Sequence, residues 1–420
     1  MSVEGWKTGK LGKLCKIEIG GTPMRDNPEY WDSQKETDNL WVSIRDMNQR
    51  VINDTAEYIT NIGVKNSNAK LQHEGTILLS FKLTIGRVAF AGKQLYTNEA
   101  IAALQTEQLT HNFLYYGLQQ WNLLQDVDQA IKGATLNKTK LNKIEFQYPV
   151  SLQEQTQIAT ILSTIDRAIE QTEALIAKQQ RIKTGLMQDL LTKGIDENGN
   201  IRSEETHEFK DSPLGRIPVE WEVVTTGQVT KSLVPGRDKP DLDGGGVPWI
   251  TIPDIEGMYL DLPKSGLSLS LNAIKVANAR LMPKGTVLMS CVGEFGIATI
   301  TECDAVANQQ LHGFICDQSI LPEWLIAQIN ASGNRIDNMA TQTTIKYLNK
   351  NGCESILITL PSLKEQVKII SILDNINDLF EKQKKSLNKL RSLKTGLMQD
   401  LLTGKVRVTE LIKERETDNL

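Results

Sequence analysis

The residue patterns that most often signal catalysis are incomplete in this 420-residue chain. A phosphate-binding loop ends in Gly-Lys followed by Ser or Thr, and no Gly-Lys pair of this sequence has that third residue. The four pairs begin at Gly9, Gly12, Gly92 and Gly404. ATP-driven chemistry within this chain is therefore disfavoured.

Two other stretches resemble parts of motifs found in DNA enzymes. Pro253-Asp254 followed by Asp261-Leu-Pro-Lys264 resembles the carboxylates of a metal-dependent nuclease, but the spacing has one residue too many. Asp26-Asn-Pro-Glu-Tyr30 resembles the tetrad with which adenine methyltransferases hold a flipped base, but Glu29 stands where that tetrad has its second proline. No glycine-rich cofactor turn accompanies it, so an Asn-Pro turn is the favoured interpretation.

The cysteines and histidines are too scattered to build a metal site or a catalytic triad. The five cysteines form no CxxC pair, which fits reduced thiols of a cytosolic protein; they are Cys15, Cys291, Cys303, Cys316 and Cys353. The four histidines are dispersed as well. We predict no catalytic residue, no metal and no cofactor in this chain, which reads as a binding protein.

One stretch of the sequence occurs twice and organises the whole chain. Residues 151–192 match residues 362–403 without a gap, and both copies end in the same Lys-Thr-Gly-Leu-Met-Gln-Asp-Leu-Leu-Thr. Internal repeats of this kind indicate a chain built from two like halves. Each half is a long segment followed by one copy of the repeated stretch.

The repeated stretch has the seam of a coiled coil. Apolar residues recur at alternating spacings of four and three, for example Ile158, Leu162 and Ile165 in the first copy and Ile369, Leu373 and Ile376 in the second. We predict two long helices packed as an antiparallel coiled coil, each about 60 Å long. The alternative, in which each helix packs on its neighbouring domain or drives oligomerisation, stays open.

The remaining segments give an α+β chain with two globular domains. We predict domains at 1–150 and 213–360, helices at 151–192 and 361–403, a polar linker at 193–212 and a charged tail at 404–420. Gly75-Thr-Ile-Leu-Leu-Ser80 in the first domain aligns with Gly285-Thr-Val-Leu-Met-Ser290 in the second. The residues that follow differ strongly, so a shared framework carries different loops.

Composition and charge leave the partner open but indicate the compartment. The net charge of -4 argues against coating nucleic acid by charge alone, although a basic face remains compatible with it. No apolar run approaches the roughly 20 residues of a membrane span, and the N-terminus has no secretory core. We therefore expect a cytoplasmic protein.

The order of these parts resembles the specificity subunits of type I restriction-modification systems. The resemblance rests on Gly20-Gly-Thr-Pro-Met-Arg-Asp-Asn-Pro-Glu-Tyr-Trp31, Pro213-Leu-Gly-Arg-Ile-Pro-Val-Glu-Trp-Glu222 and the two helical copies, and it covers nearly the whole chain. The second domain departs from it, since Val234–Gly246 replaces the opening found in the first domain.

The resemblance implies a non-catalytic DNA-recognition subunit. Two target-recognition domains would each read one half of a bipartite site on double-stranded DNA, and the helices would set the distance between the halves. Two methyltransferase (modification) subunits would dock on the helices and methylate adenine with S-adenosylmethionine. Restriction subunits would supply ATP- and Mg-dependent translocation and cleavage.

Candidate contact residues follow from the variable loops and the identical decapeptides. For DNA binding we predict Lys82, Arg87, Asn98, Lys138, Lys140, Arg237, Lys239, Asn308, Gln309 and Lys346. For partner binding we predict Leu186, Met187, Leu190, Leu397, Met398 and Leu401. The competing interpretations are solvated surface charges or turn-capping amides for the first set, and the intramolecular seam for the second.

Two other classes of function stay open on the sequence alone. A self-contained DNA methyltransferase or nuclease would require the isolated chain to bind S-adenosylmethionine, Mg²⁺ or ATP. A coiled-coil adaptor without a DNA role would show no sequence-dependent retardation of duplex DNA even with its partner present.

Overall fold

The chain divides by its contacts into two units, and each long helix contributes one half to each of them. The computed structural model describes residues 3–121, 123, 136–236, 238–341 and 344–412. The first unit joins Met1–Ala174 to Lys384–Leu420, and the second is the continuous segment Leu175–Gln383. The predicted domains were continuous in sequence, whereas the first unit is not.

The first unit is a mixed α+β domain with half of each long helix. Its described strands are β1 (Trp6–Lys10), β2 (Lys16–Ile19), β3 (Leu40–Val42), β4 (Val51–Ile52), β5 (Glu57–Tyr58), β6 (Ile77–Ser80), β7 (Val88–Ala91), β8 (Tyr96–Thr97), β9 (Ile101–Gln105) and β10 (Glu145–Pro149). Its described helices are α1 (Leu11–Leu14), α2 (Asn61–Lys65), α3 (His111–Gln120), α4 (Lys138–Lys143) and the beginning of α5 (Leu152–Thr192). Short 3-10 turns occupy Pro28–Tyr30 and Ile44–Asp46.

The second unit repeats this arrangement. Its described strands are β11 (Phe209–Ser212), β12 (Gly215–Pro218), β13 (Glu222–Thr225), β14 (Thr230–Leu233), β15 (Val247–Ile250), β16 (Tyr259–Leu260), β17 (Ser268–Leu269), β18 (Leu281–Met282), β19 (Val287–Ser290), β20 (Ala298–Thr301), β21 (Ala305–Ala307), β22 (Leu311–Cys316) and β23 (Leu357–Leu360). Its described helices are α6 (Thr226–Val229), α7 (Leu271–Val276), α8 (Pro322–Ala331), α9 (Gly333–Met339), α10 (Lys350–Glu354) and the beginning of α11 (Leu363–Leu401), with a 3-10 turn at Ile252–Asp254.

The sheets of the two units have the same strand order. A five-stranded sheet runs β2-β9-β6-β7-β4 in the first unit and β14-β22-β19-β20-β16 in the second, and its last pair is parallel in both. The central strands β6 and β19 are buried along their whole length because helices and loops cover both faces. Smaller sheets, β5-β3-β8 and β17-β15-β21-β18, again match through a parallel pair. The internal repeat predicted from the sequence is confirmed.

The two long helices begin and end with the same local signals. The hydroxyls of Ser151 and Ser362 each accept from an N–H three residues on, at 3.3 Å, which caps the first turn. After the helices, Gly194 and Gly404 adopt φ values of 63° and 71°, a left-handed conformation that favours glycine at a helix end. The repeated stretch thus specifies one uninterrupted helix in each half.

Within the first unit the two helices run antiparallel, as predicted. Asp166 pairs with Lys394 at 2.7 Å and Glu173 pairs with Arg391 at 2.6 Å, so rising numbers on α5 meet falling numbers on α11. The first residues of the seam also pack on the globular domain, since Ile158 and Leu162 belong to its core. Helix pairing and packing on the neighbouring domain, which the sequence posed as alternatives, both occur.

The segment predicted to be a linker, residues 193–212, is mostly exposed but is attached to the second unit at a few positions. Ile195 is buried in the core of the second unit, and residues 209–212 form a hairpin strand with β12. Polar residues dominate this segment and its few buried side chains are widely spaced, so the bounds of the linker stay a prediction.

Candidate functional site

In each unit one loop follows the central strand, β6 or β19, and the two loops match each other. The Ser80 hydroxyl donates to the Thr84 carbonyl at 2.5 Å, and the Ser290 hydroxyl donates to the Glu294 carbonyl at 2.6 Å. Gly86 and Gly296 close the loops with φ values of 93° and 78°. We call residues 81–87 the first reading loop and residues 291–297 the second. The same backbone framework therefore presents two different sets of side chains.

The contents of the two reading loops differ in charge and size. Lys82 and Leu83 of the first loop stand where the second loop has Val292 and Gly293. Leu83 has a φ of 62°, which is unusual for a bulky residue, and the residue is 76% exposed. Gly293 adopts a φ of 80° at the matching position without a side chain. The first loop therefore holds a backbone conformation that is strained for leucine at an exposed position.

The two basic residues of the first reading loop differ in the contacts that their side chains make with the rest of the domain. The Lys82 ammonium lies 5.5 Å from the ring centroid of Phe81. The Arg87 guanidinium donates to the Asn48 amide oxygen at 2.6 Å and to the Ile44 carbonyl at 3.1 Å. Arg87 is therefore held in place by the domain itself, which pre-orders its remaining donors.

The matched asparagines Asn98 and Asn308 form turns. The side-chain oxygen of Asn98 accepts from Ala100 N–H at 3.0 Å, and that of Asn308 accepts from Gln310 N–H at 3.1 Å. Gln309 donates to the Gly236 carbonyl at 3.3 Å. These contacts are those of turn-capping amides, the competing interpretation raised for this set. A DNA contact by these side chains stays a prediction.

The other predicted DNA-binding residues lie on separate surface segments. Lys138 is exposed on α4, whose first turn Asn137 caps by accepting from Lys140 N–H at 2.9 Å. Lys346 pairs with Asp337 at 2.6 Å, and its carbonyl accepts from Gly293 N–H in the second reading loop. Lys239 is exposed. Arg237 lies outside the described residues.

The six residues predicted to bind partners pack within the chain. Leu190 is 1% exposed in the core of the second unit, and Leu186 and Met187 lie against that core. Met398 and Leu401 are 8% and 3% exposed in the core of the first unit, and Leu397 lies against it. The identical decapeptide therefore contributes to the cores of both halves, so partner binding through these side chains remains a prediction.

Sequence reasoning missed two matched anchors. In the first unit Glu154, 2% exposed, accepts from the Arg407 guanidinium at 2.6 and 2.9 Å and from the Trp6 indole at 3.4 Å. In the second unit Glu365 accepts from the Trp221 indole at 3.1 Å and from Arg202 at 2.5 Å. We call these the Glu154 and Glu365 anchors. The signal was the Glu-Gln pair shared by both copies of the repeat.

The glutamine of that pair joins each helix to its domain. Gln155 accepts from Thr110 N–H at 2.7 Å and donates to the Pro149 carbonyl at 2.9 Å. Gln366 accepts from Leu321 N–H at 2.8 Å and donates to the Pro361 carbonyl at 2.9 Å. Both side chains are fully buried, so the shared Ser-Leu-x-Glu-Gln sequence encodes a joint.

The residues that resembled enzyme motifs serve the backbone instead. The Asn27 side chain accepts from Glu29 N–H at 3.0 Å, the turn that Asn-Pro predicts. Burial disfavours the charged Asp254 carboxylate, yet hydrogen bonds from Thr251 and Ser265 keep its pKa below the ordinary value. Asp254 matches Asp46, which caps the equivalent turn beside Ser43. Among the described residues, no group of three or more His, Cys, Asp or Glu could hold a metal.

A scan against family models gives one family twice along the chain. The model described as the type I restriction modification DNA specificity domain matches residues 3–179 and 218–392. These matches span both globular domains and most of both long helices. No helix in the described part of the chain is long and apolar enough to cross a membrane.

Curated relatives are similar to this chain at low sequence identity over long alignments. The two described here are both from Methanocaldococcus jannaschii. The chain is 28% identical over 286 residues to a protein named putative type I restriction enzyme MjaX specificity subunit, which covers 67% of this chain and 63% of that protein. It is 25% identical over 440 aligned residues to the MjaVIII specificity subunit, which covers 97% and 94%.

Solved structures share the fold. One similar chain comes from a structure whose subject is the complex assembly and conformational transition of a type I R-M system. It gives a TM-score of 0.63 at 16% identity, and the alignment covers 97% of this chain and 100% of that one. The HsdS subunit from Thermoanaerobacter tengcongensis gives 0.54 at 16% identity, and covers 96% and 98%. At this identity the likeness shows a common fold.

Proposed function

This chain belongs to the family of type I restriction-modification DNA specificity domains, and from that premise we propose that it selects the DNA sequence on which separate subunits act. Each globular domain reads one half of a bipartite site on double-stranded DNA. The observation that carries the proposal is the pair of reading loops, because one framework holds two different sets of side chains. Sequence is read by side chains that reach base edges, so different loop contents select different half-sites.

The first reading loop has the chemistry of a DNA contact. Lys82 and Arg87 supply positive charge for phosphates or guanine edges, and the exposed Leu83 supplies an apolar contact of the kind made with thymine methyl groups. The second loop instead offers Glu294, whose carboxylate suits the amino group of cytosine. The two half-sites should accordingly differ.

The division of labour within the complex is part of the same proposal. This chain is non-catalytic and acts in the cytoplasm. Two modification subunits dock on it, bring S-adenosylmethionine and methylate adenine. Restriction subunits, where present, bring ATP- and Mg²⁺-dependent cleavage. The family match disfavours both alternatives raised from the sequence, a self-contained enzyme and an adaptor without a DNA role.

Exchange of the reading loops tests the proposal. Residues 82–85 are replaced by Val-Gly-Glu-Phe, the sequence of residues 292–295, while Ser80 and Gly86 are kept. The variant is expressed with its modification subunit, and methylated adenines are mapped. We expect one half of the motif to change and the other to persist. Substitution of exposed Lys65 on α2 by Gln is the control and should leave both halves unchanged. A motif unaffected by the exchange contradicts the proposed role of the loop.

A further inference from the structure

Each unit has a groove between its globular domain and its helix pair, and the two grooves differ in charge. The first groove, about 500 Å³, is lined by residues that include Arg50, Tyr115, Asp166, Arg391 and Lys394. The second groove is larger, about 860 Å³. Its lining includes Met258, Ile326, Asp374, Asp378 and Phe380.

Backbone hydrogen bonds establish that the two grooves are equivalent. Phe90 N–H donates to the Arg50 carbonyl at 2.8 Å, and Ile300 N–H donates to the Met258 carbonyl at 2.8 Å on the matching strand pair. Met258 therefore occupies the position of Arg50. The identical decapeptides bring Lys394 to the first groove and Lys183 to the second.

The first groove has a cation of the chain itself, Arg50, in its lining. The Arg50 guanidinium donates to the Tyr116 hydroxyl at 3.0 Å and to the Asn112 side chain at 3.1 Å. It lies 4.9 Å from the ring centroid of Tyr115 and 3.7 Å from the Asp166 carboxylate. An arginine stacked on aromatic rings and paired with a carboxylate is well satisfied.

The second groove lacks this cation and its aromatic wall. Met258 replaces Arg50, while Ile326 and Ala327 stand at the α8 positions that match Tyr115 and Tyr116 on α3. Ile326 and Ala327 are buried and form the apolar floor of the groove, beside the half-buried Met258. Asn377 also replaces Asp166, so the groove has lost both members of the first unit's ion pair.

Negative charge collects along the helix side of the second groove. Asp374, Asp378 and Glu381 lie at spacings of four and three on α11 and therefore share one face. Glu323 lies nearby, where it accepts from the Tyr259 hydroxyl at 2.9 Å. Burial first, and then the charges of Glu323 and Asp378, raise the pKa of Asp374 above its ordinary value. The cation in the lining is Lys183, 5.5 Å from the Phe380 ring centroid.

We propose that the second groove receives an arginine-bearing segment of the modification subunit that docks on this half of the chain. The incoming guanidinium takes the place that Arg50 occupies in the first groove, and apolar residues beside it cover Met258 and Phe380. A polypeptide fits better than a small cation because the wall opposite the carboxylates is apolar. This inference rests on the proposed function, and it makes the two halves unequal in how they hold their partners.

Charge removal in the second groove tests the proposal. The variant Asp374→Asn/Asp378→Asn keeps side-chain volume and relieves repulsion, so it should fold at least as stably as the native chain. The control, Glu170→Gln, removes a carboxylate from the first groove at the position that matches Glu381. Each chain is titrated with purified modification subunit, and the bound copies are counted by native mass spectrometry. We expect tenfold or greater weakening of one of two copies in the variant alone.

A second variant and a crosslink keep the outcome clear. Met258→Arg supplies an internal cation like Arg50 and should weaken the same copy by a similar factor. A photoreactive phenylalanine at position 258 should capture an arginine-containing peptide of the modification subunit. Unchanged binding in both variants, or capture of a second copy of this chain, overturns the inference. If two modification subunits still bind in that case, the proposed function stands. Absence of any bound modification subunit overturns both.

Discussion

Arg407 and Glu154, which are 253 positions apart, form an ion pair at 2.6 Å that closes the first unit. Arg407 follows the end of α11 and Glu154 lies in the first turn of α5, so the end of one helix is joined to the start of the other. Arg202 and Glu365 form the same contact in the second unit. The C-terminal segment around Arg407, to which the sequence assigned no role, is therefore part of the scaffold.

Loss of Arg407 should destabilise the first unit strongly. In Arg407→Met the Glu154 carboxylate, 2% exposed, remains buried with its cation removed. We expect the free energy of unfolding to fall by about 3 kcal/mol, as for other broken buried pairs. Urea denaturation followed by tryptophan fluorescence measures this change. Lys405→Met, which removes an exposed pair with Asp400, is the matched control and should cost less than about 1 kcal/mol. Equal effects of the two substitutions would contradict the anchor.

His312 should make the second unit sensitive to mild acid. Burial lowers the pKa of His312 from its ordinary value of 6.5 to about 4. Between these two pH values His312 binds a proton in the unfolded chain but not in the folded chain. Its contribution to the free energy of unfolding is therefore complete above pH 6.5 and decreases as the pH drops toward 4. The loss should approach about 1.4 kcal/mol per pH unit within this window.

His312→Gln isolates this contribution from that of the carboxylates. The ring nitrogen Nε2 of His312 lies 3.0 Å from the Ser232 hydroxyl, a contact that the glutamine amide can replace in part. We expect the difference in unfolding free energy between native and variant chains to shrink from pH 7 to pH 4, measured by urea denaturation at each pH. A difference that is independent of pH would show that His312 titrates normally.

Replacement of Leu83 should separate stability from recognition. Leu83→Gly removes the strain of a leucine at positive φ, so the free energy of unfolding should rise by about 1 kcal/mol. The same variant should lose selectivity at one base pair of the first half-site, read from the methylated motif. The reciprocal variant Gly293→Leu meets no atom within 4 Å at its Cβ and should be destabilised by strain alone. Loss of stability in Leu83→Gly would argue that the leucine packs within the domain.

Helix length should set the gap in the DNA site. Insertion of one heptad after Ala174 and another after Gln383, at the two points where the units divide, lengthens both helices by about 10 Å and keeps the seam in register. We expect the gap to grow by roughly three base pairs with both half-sites intact, since base pairs are 3.4 Å apart. Insertion into α5 alone breaks the register and should abolish methylation. An unchanged gap in the double insertion would remove the spacing role.

The sequence predicted what depends on periodicity and repetition. The seam from Ile158 to Leu162 and the matched strands β6 and β19 were recognisable because helix and strand spacings are local. The Glu154 and Glu365 anchors were not, since Arg407 and Arg202 lie far from their partners along the chain. Likewise, the turn-capping roles of Asn98 and Asn308 depend on loop geometry that residue type alone leaves open.

The central claim is that each half of this chain reads its own half of one DNA site, and a domain exchange tests it most directly. Residues 1–150 are replaced by the matching domain of a relative, the chain is expressed with its modification subunit, and methylated adenines are mapped across the host genome. The account predicts a bipartite motif in which one half changes while the other half and its adenine are retained. Simultaneous change of both halves, or methylation that follows a single uninterrupted motif, would contradict it.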